Sequence, residues 1–282
     1  MTYFVQTRWC QPLFAMVTFL LMISVSRNLA AQTPSAGLPR AHAHNDYEHD
    51  RPLEDAYELG FRSLEADIYL VDGKLLVAHD REDVKTDRTL QRLYLDPLKK
   101  RFDASQGKLF AGDAPLILLI DIKSDATETY EALHEALQPY RLMLTREEDG
   151  KSVVGAMMIV ISGNRDFDAI SNTPNRLVGI DGRTKDLESN LGANLMPLIS
   201  DNWYTQFTWR GNGPMPEDQR EHLREYVRKA HAAGRMVRFW ATPEREALWD
   251  ELRSADVDLI GTDELEKLAK FLREPVAPDD KR

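Results

Sequence analysis

The sequence predicts a single (β/α)8 barrel of the TIM type, an α/β fold, on three observations. Short apolar runs alternate with helical patterns along most of the chain, which favours a parallel sheet whose strands are connected by helices. Residues 32–282 have the length, about 250 residues, that one such barrel commonly fills. Between residues 40 and 273 there is no low-complexity linker, internal repeat or break in composition. A doubly wound open sheet is the alternative.

Eight apolar runs are the strand candidates. They are residues 40–44, 63–69, 116–122, 156–161, 177–180, 195–199, 236–241 and 258–261. The clearest helices cover residues 125–144 and 217–233, where apolar residues recur at helical spacing, and Gly234 follows the second helix as a C-cap. Asp72 and Gly73 follow the second strand and favour a type I′ hairpin turn. In a barrel, polar residues at the carboxyl ends of the strands are the candidates for an active site.

The first 31 residues have the pattern of a signal peptide. Arg8 supplies a positive n-region, residues 12–25 are an apolar run, and residues 29–31 (Leu-Ala-Ala) allow cleavage before Gln32. We therefore expect export to the periplasm or the extracellular space, with no membrane span after cleavage. An uncleaved anchor is the alternative, although a span needs about 20 apolar residues. Cys10, the only cysteine, lies in this segment, so the mature chain is expected to lack disulfides and thiolate metal sites.

The remaining chain divides into three parts. Residues 32–39 are an extended lead-in, residues 40–273 form the barrel, and residues 274–282 are a polar tail. The whole chain has 46 acidic and 36 basic side chains and a formal net charge of −10. This charge argues against nucleic acid or an anionic membrane as a standing partner. An anionic substrate remains compatible with it, because a metal and a lysine can dominate the field inside one site. The oligomeric state is not predicted.

Three carboxylates on two strand candidates form the clearest chemical signal. Glu65 and Asp67 are two residues apart on a strand, so both side chains point to one face. Asp121 ends the next apolar strand, and Lys123 follows on the same face. Paired charges in such apolar strands are costly unless a cation lies between them. An oxygen-rich site of this kind suits one Mg²⁺ or Ca²⁺ ion rather than zinc.

Histidines supply the second signal. His42 and His44 stand at the end of the first strand, and His79 follows the hairpin. A His-x-His pair begins the zinc site of some barrel hydrolases, but the later strand ends carry no histidine that would complete such a site. Two imidazoles flanking a metal could instead serve as general base and general acid, an arrangement that suits a phosphodiester. A zinc amidohydrolase-like enzyme using His42 and His44, and a non-catalytic barrel that binds a lipid or sugar phosphate, remain the alternatives.

The order of these motifs resembles the glycerophosphodiester phosphodiesterase and phosphatidylinositol-phospholipase-C-like superfamily. Within it the chain is most similar to a branch that opens with His-Asn-Asp-Tyr and includes the yeast altered inheritance of mitochondria protein 6. The matching segments are His44-Asn45-Asp46-Tyr47, Glu65-Ala66-Asp67, His79-Asp80, Asp121-Ile122-Lys123, the tryptophan segment 235–244 and the closing segment 257–268. The resemblance thus covers residues 40–272.

The resemblance implies an exported, metal-dependent phosphodiesterase that cleaves a glycerophosphodiester or a phospholipid-like diester. It implies His44 and His79 as the catalytic pair, although spacing alone leaves His42 or His44 open for the first position. Glu65, Asp67 and Asp121 are then the metal ligands. The candidate substrate-binding residues are Lys123, Trp240, Asn45 and His42. The first motif departs from the usual His-Arg-Gly of the superfamily, so an arginine that can hold phosphate is missing.

Three further polar residues follow strand candidates on the same presumed face. They are Asn164, Arg165 and Arg183. Surface ion pairing is the favoured interpretation for them, and contact with substrate is the alternative.

Overall fold

The structure is a computed structural model that describes residues 1–3 and 35–275. Residues 35–275 lie within one compact unit, and everything below concerns them. Residues 4–31 of the predicted signal peptide and residues 276–282 of the polar tail lie outside the described residues. Within residues 35–275, no helix has the length and apolar character that a membrane span requires.

The strands form a closed barrel. In chain order they are β1 Leu38–Ala43, β2 Phe61–Val71, β3 Lys74–Val77, β4 Leu116–Ile122, β5 Arg146–Glu148, β6 Lys151–Val153, β7 Met157–Gly163, β8 Val178–Gly182, β9 Leu198–Asn202, β10 Met236–Trp240 and β11 Leu259–Thr262. Eight of them are parallel, in the order β1-β2-β4-β7-β8-β9-β10-β11, and β1 pairs with both β2 and β11. Because the sheet has no free edge in this circuit, the predicted (β/α)8 barrel is confirmed and the open sheet is wrong.

Helices cover the outside of the barrel. They are α1 Glu54–Leu59, α2 Asp96–Ala104, α3 Ala126–Leu137, α4 Phe167–Asn172, α5 Trp203–Gln206, α6 Glu217–Ala232, α7 Glu246–Ser254 and α8 Leu265–Arg273. The predicted helix over residues 125–144 is too long. The observed helix α3 ends at Leu137 and is followed by a 3₁₀ turn, Gln138–Tyr140, because Pro139 lacks the N–H that would continue the helical hydrogen bonds. The predicted helix over 217–233 is confirmed, and Gly234 follows it with a φ of 70°.

The sixth barrel strand begins three residues later than predicted. The prediction placed it over residues 195–199, whereas β9 covers Leu198–Asn202. Pro197 lacks a backbone donor and therefore precedes the hydrogen-bonded ladder rather than joining it. The shift brings Asp201 and Asn202 into the end of the strand.

The alternation of side chains along the strands creates both the core and the site. On β4, Ile117 and Leu119 point into the barrel and pack with apolar side chains of β7, β9 and β11. Two residues further on, the same face presents Asp121. The intervening residues Leu118 and Ile120 belong to the larger core, which forms between the sheet and the helices. The barrel interior is therefore apolar at its base and charged at the carboxyl ends of its strands.

The predicted hairpin is confirmed. Asp72 and Gly73 have φ values of 48° and 73°, as a type I′ turn requires, and β3 pairs antiparallel with β2 outside the barrel circuit. This hairpin returns the chain to the mouth of the barrel just before His79.

Candidate active site

The three predicted ligands lie together at the mouth of the barrel. Asp67 on β2 is the register partner of Asp121 on β4. Each of Glu65, Asp67 and Asp121 offers a carboxylate oxygen, and these oxygens lie within 4.8 Å of one another. Glu65 and Asp67 are almost fully buried, with exposures of 5% and 1%. Carboxylates this close and this buried repel one another unless cations compensate them.

The negative charge of Glu65 is stabilised by Arg238 and His42. Its Oε2 accepts hydrogen bonds from Arg238 Nη2 on β10 at 2.5 Å and from His42 Nε2 at 3.0 Å. Burial alone would raise the pKa of Glu65, but the Arg238 charge and the His42 hydrogen bond outweigh it and hold the pKa well below its usual value. Glu65 is therefore an ionised carboxylate throughout the neutral range, and Oε1 remains free to face the mouth.

His42 supports Glu65 instead of facing substrate. Its side chain is completely buried, and its Nδ1 lies 2.7 Å from Ser63 Oγ. Burial and the nearby Arg238 charge lower the pKa of His42 to about 4, so the ring is neutral and the hydrogen-bond network assigns its proton to Nε2. Because both ring nitrogens are occupied inside the barrel, the expectation that His42 binds substrate requires correction. It positions Glu65.

Lys123 lies between the other two carboxylates. Its Nζ is 3.1 Å from Asp67 Oδ2 and 3.3 Å from Asp121 Oδ1. Burial raises the pKa of Asp121 to about 6, the Lys123 charge opposes this shift, and Asp67 adds to it. Burial and the Glu65 charge likewise raise the pKa of Asp67. The predicted proximity of Lys123 to the acids is confirmed.

The residues present fit a divalent cation. Asp67 Oδ1 is buried without a hydrogen-bond partner, so it is available as a ligand, whereas Asp121 Oδ1 lies 3.3 Å from the Lys123 ammonium. Arg238 and Lys123 are the permanently charged cations that face the three carboxylates, so one negative charge is in excess when all three are ionised and the histidines are neutral. Hard oxygen donors of this kind are the ones that Mg²⁺ and Ca²⁺ prefer.

Gly163, the last residue of β7, fixes the position of Asp121. It has a φ of 65°, and a Cβ placed on it would lie 2.0 Å from Asp121 Oδ1 and 2.5 Å from Ile122 O. Only glycine therefore allows β7 to approach the carboxylate this closely.

We expect Gly163→Ala to displace the Asp121 carboxylate and weaken divalent-cation binding at least tenfold, about 1.4 kcal/mol. Calorimetric titration with Mg²⁺ and Ca²⁺ would measure this effect. Gly73→Ala is the matched control, because Gly73 also has a positive φ but no atom within 4 Å of the added Cβ. Equal cation affinities in the two variants would contradict the role of Gly163.

His44 is oriented by an acid from the other end of the chain. Its Nδ1 lies 2.7 Å from Asp263 Oδ1. Asp263 is itself held by Glu244, whose Oε1 accepts the Asp263 N–H at 2.8 Å. Burial lowers the pKa of His44, but the Asp263 hydrogen bond and the Glu65 charge outweigh it, so that the pKa is raised overall. Because Nδ1 is engaged, Nε2 is the nitrogen that can meet a substrate.

His79 approaches the cluster from the hairpin side. Its Nδ1 lies 3.2 Å from Asp67 Oδ2 and 3.2 Å from the Tyr47 hydroxyl, and about half of its side chain is exposed. The Tyr47 hydroxyl also donates to Asp67 Oδ2 at 2.8 Å. Burial and the Asp67 charge raise the pKa of Tyr47 far above its usual value, so Tyr47 acts as a neutral donor. His79, like His44, therefore has its Nδ1 held and its Nε2 available.

The segment after His44 adopts an unusual backbone. Asn45 is left-handed, with φ 47° and ψ 41°, a conformation that asparagine tolerates better than most residues. The buried Asp46 accepts hydrogen bonds from Leu53 N at 2.6 Å and from the Tyr94 hydroxyl at 2.8 Å. This bend places Tyr47 under the cluster, where its hydroxyl is 3.0 Å from Asn45 Oδ1. The substrate-binding role of Asn45 stays a prediction, because its visible contact is with Tyr47.

Asp46 makes the stability of the fold depend on pH. Burial raises its pKa from 3.8 to about 6 despite its two hydrogen bonds. The folded state thus holds this proton more tightly than the unfolded state, so the stability that it contributes is complete below pH 3.8 and is lost as the pH rises through 6.

The contribution of Asp46 to the free energy of unfolding, about 3 kcal/mol when fully present, should be absent in Asp46→Asn, so stability should depend less on pH in that variant. Urea denaturation between pH 4 and 7, with EDTA present, would measure it. If the free energy of unfolding changed with pH equally in the variant and in the natural chain, the raised pKa of Asp46 would be contradicted.

Trp240 ends β10 at the rim of the mouth. It is 38% exposed and lines a small cleft with His44, Glu244 and Asp263. Trp240 is therefore partly exposed beside His44, and its substrate-binding role stays a prediction.

Sequence reasoning missed three residues that organise the site. They are Tyr47, Arg238 and Asp263. Arg238 lies two residues before Trp240 on the same strand, so a charged residue on an otherwise apolar inner face was an available signal. Asp263 directly follows the last strand, in the position where barrel active sites collect their residues.

The zinc pair is not supported. Among residues 35–275, Glu65, Asp67 and Asp121 are the only group of three or more potential ligands found within reach of one another. His42 and His44 are not part of such a group, and each binds a different carboxylate.

The chain is thus a (β/α)8-barrel protein whose mouth carries an acidic cluster flanked by two histidines. Residues 36–181 match the family described as the AIM6-like phosphodiesterase domain. The chain belongs to that family.

Curated relatives agree with this assignment. The chain is 30% identical over 270 residues to altered inheritance of mitochondria protein 6 of Eremothecium gossypii, a match that covers 83% of this chain and 69% of that protein. It is 28% identical over 264 residues to the homologue of that protein in Arthroderma benhamiae, covering 79% of this chain and 81% of the relative.

Two solved structures were also found to be similar. A glycerophosphodiester phosphodiesterase from Parabacteroides distasonis has a TM-score of 0.49 and 17% identity, covering 84% of this chain and 98% of that one. A glycerophosphodiester phosphodiesterase from Agrobacterium tumefaciens has a TM-score of 0.47 and 13% identity, covering 82% and 98%.

Proposed function

We propose that the chain is a divalent-cation-dependent phosphodiesterase that cleaves a glycerophosphodiester or a phospholipid-like diester. The observation that carries the proposal is the placement of His44 and His79. Each has its Nδ1 bound to a carboxylate, and the two follow different strands, β1 and β3, at the mouth that holds the three acids. Membership of a phosphodiesterase-like family supports the same reaction class.

Glu65, Asp67 and Asp121 would hold one Mg²⁺ or Ca²⁺. When bound, such an ion would withdraw charge from the phosphoryl oxygens. With the three carboxylates ionised against Arg238 and Lys123, the cluster keeps one excess negative charge, which supports a divalent cation as its ligand.

His44 is the general base in this proposal. Its Nε2 takes the proton of the attacking hydroxyl as the new oxygen–phosphorus bond forms, and Asp263 stabilises the resulting imidazolium. The attacking group is either water, which gives a hydrolysed product, or a substrate hydroxyl next to the phosphate, which gives a cyclic product.

His79 is the general acid. Its Nε2 gives a proton to the leaving alkoxide as the bond between phosphorus and that oxygen breaks. Asp67 and Tyr47 hold its ring in position. Lys123 adds positive charge beside the phosphoryl group, a contribution on the order of 10²–10³-fold for one preorganised donor.

Hydrolysis of bis-p-nitrophenyl phosphate by the purified chain would test the proposal. After dialysis against EDTA we expect no activity, and we expect Mg²⁺ or Ca²⁺ to restore it better than Zn²⁺. Glu65→Gln, which keeps the size of the side chain, should lower cation affinity. Activity that persists in EDTA, or cation binding without turnover of any diester, would contradict the proposal; the second result would identify a binding protein.

We also propose that the chain is exported. The positive residue, apolar run and small-residue site within residues 1–31 support this proposal. Expression of the full chain followed by fractionation and N-terminal sequencing would test it, with Gln32 as the expected first residue of the exported form. A protein that keeps Met1 in the cytoplasmic fraction would contradict export.

A further inference from the structure

A second cavity opens at the mouth of the barrel, next to the carboxylate cluster. It lies at the ends of β4, β7 and β8 and has a volume of about 810 Å³, within the range of small-molecule sites. Its polar lining includes Ser124, Asp125, Asn164, Arg165 and Lys185. Gly163, which packs against Asp121, is also part of its wall. A molecule held at the cluster could therefore extend into this cavity.

Two cations in the cavity have no carboxylate partner among the described residues. Arg165 is half-buried, and its guanidinium has one hydrogen bond, to Gly163 O at 3.2 Å. Lys185 is exposed and forms no ion pair within residues 35–275. Arg183 pairs with Asp181 at 2.6 Å, but this aspartate is completely buried, so the pair is not the surface ion pair that the sequence favours. No ion pair of Arg165 is found within residues 35–275.

Asp125 and Asp186 also line this cavity; they keep their charge, but each accepts a backbone N–H and forms no ion pair with Arg165 or Lys185. Asp181 is bound by Arg183, and Asp186 Oδ2 accepts the Arg183 N–H at 2.9 Å. Asp125 Oδ1 accepts the Glu128 N–H at 2.9 Å as the N-cap of α3. Burial and the Arg183 charge lower the pKa of Arg165, which means that its environment opposes the positive charge.

Partial burial of the Arg165 charge costs free energy, because the guanidinium loses water and gains no paired carboxylate. An anion from solution would relieve that cost. The planar guanidinium matches the oxygens of a phosphate bidentately, and a nearby lysine adds a second, flexible point charge. Because Asp125 and Asp186 cap backbone N–H groups, Arg165 and Lys185 are the charged groups of the lining that can donate to a phosphate.

We propose that this cavity binds a second phosphate group of the substrate, so that the preferred substrates are phosphodiesters that also carry a phosphate monoester. This inference rests on the proposed phosphodiesterase activity for the first phosphate. Arg165 and Lys185 are the residues that select for the second.

A matched series of diesters would test the selection. p-Nitrophenyl alkyl phosphates with chains of three to five carbons would be compared in two forms, one ending in a hydroxyl group and the other in a phosphate monoester. With the cation restored, we expect at least a tenfold lower KM for one or more phosphorylated members. Arg165→Gln and Lys185→Gln should each remove most of that preference and leave kcat/KM for the hydroxyl form unchanged. Arg224→Gln, which removes one exposed charge from α6, is the control for net charge.

Binding of inorganic phosphate gives a readout that does not depend on catalysis. In EDTA, calorimetric titration should detect one site that weakens at least tenfold in Lys185→Gln, an exposed substitution that should not disturb folding, and in Arg165→Gln. If neither diester form is hydrolysed, the phosphodiesterase proposal fails and this titration alone decides whether the cavity binds phosphate. Phosphate binding without a preference between hydrolysed diesters would mean that the ligand is free phosphate and would overturn the inference about substrate. Absence of both effects would overturn the site itself.

Discussion

His44→Ala is expected to lower kcat for a phosphodiester by about 10²–10⁴-fold, the range for removal of a positioned general base. Affinity for the divalent cation should change little, because His44 binds Asp263 and is not one of the three clustered acids. Stopped-time assays with bis-p-nitrophenyl phosphate and titration with Mg²⁺ or Ca²⁺ would separate the two quantities. His222→Ala, at an exposed position on α6, is the matched control. A variant at position 44 that keeps its activity within a few-fold would contradict the assigned base.

Asp263→Asn extends this test to pH. The Asp263 hydrogen bond raises the pKa of His44, and the base is active only when its Nε2 is deprotonated. Removing the Asp263 charge should lower that pKa, so the rising limb of kcat/KM should move to lower pH while its plateau falls. If the rising limb of the kcat/KM profile stayed at the same pH in Asp263→Asn, Asp263 would not act through His44.

Arg238→Met is expected to lower the free energy of unfolding by about 3–5 kcal/mol, the cost of leaving one partner of a buried ion pair uncompensated. The side chains of Arg238 and Glu65 are 4% and 7% exposed. Urea denaturation in EDTA would measure the loss. The double variant Arg238→Met with Glu65→Gln should recover a large part of it, because the uncompensated charge is then removed.

Arg228→Met is the matched control for that experiment. Arg228 also pairs with a glutamate, Glu225, but at an exposed position on α6, where ion pairs contribute about 0–1 kcal/mol. Similar losses in the two arginine variants would contradict the claim that burial makes the Arg238 pair important.

Much of the fold could be predicted because its signals are local. Apolar runs of strand length, helical spacing and the Asp72-Gly73 turn each depend on neighbouring residues. The two largest errors in element bounds lie near prolines, Pro139 and Pro197, whose effects on the backbone are local as well. The sequence predicts the barrel class but not the strand pairing that closes the barrel. That pairing, of β1 with β11, joins residues more than 200 positions apart.

The acids of the candidate site could be predicted from the sequence, but the residues that stabilise and orient the site could not. Glu65, Asp67 and Asp121 stand out because a charge on an apolar strand requires an explanation. Arg238 and Asp263 explain those charges, yet each meets its partner only through the tertiary fold. His42 was assigned to substrate because alternation places it on the face of His44, while alternation alone does not say how deep in the barrel a side chain lies.

The pairing of His44 with Asp263 has a consequence for biosynthesis. The two residues are separated by 219 positions, and Asp263 follows the final strand of the barrel. A ribosome-bound chain that has already exposed His44, His79 and all three acids still lacks the group that orients His44. The site can be completed only after β11 has left the ribosome and inserted between β1 and β10. Premature termination before this point would therefore produce a chain that contains the three acids and both histidines but leaves His44 without its partner.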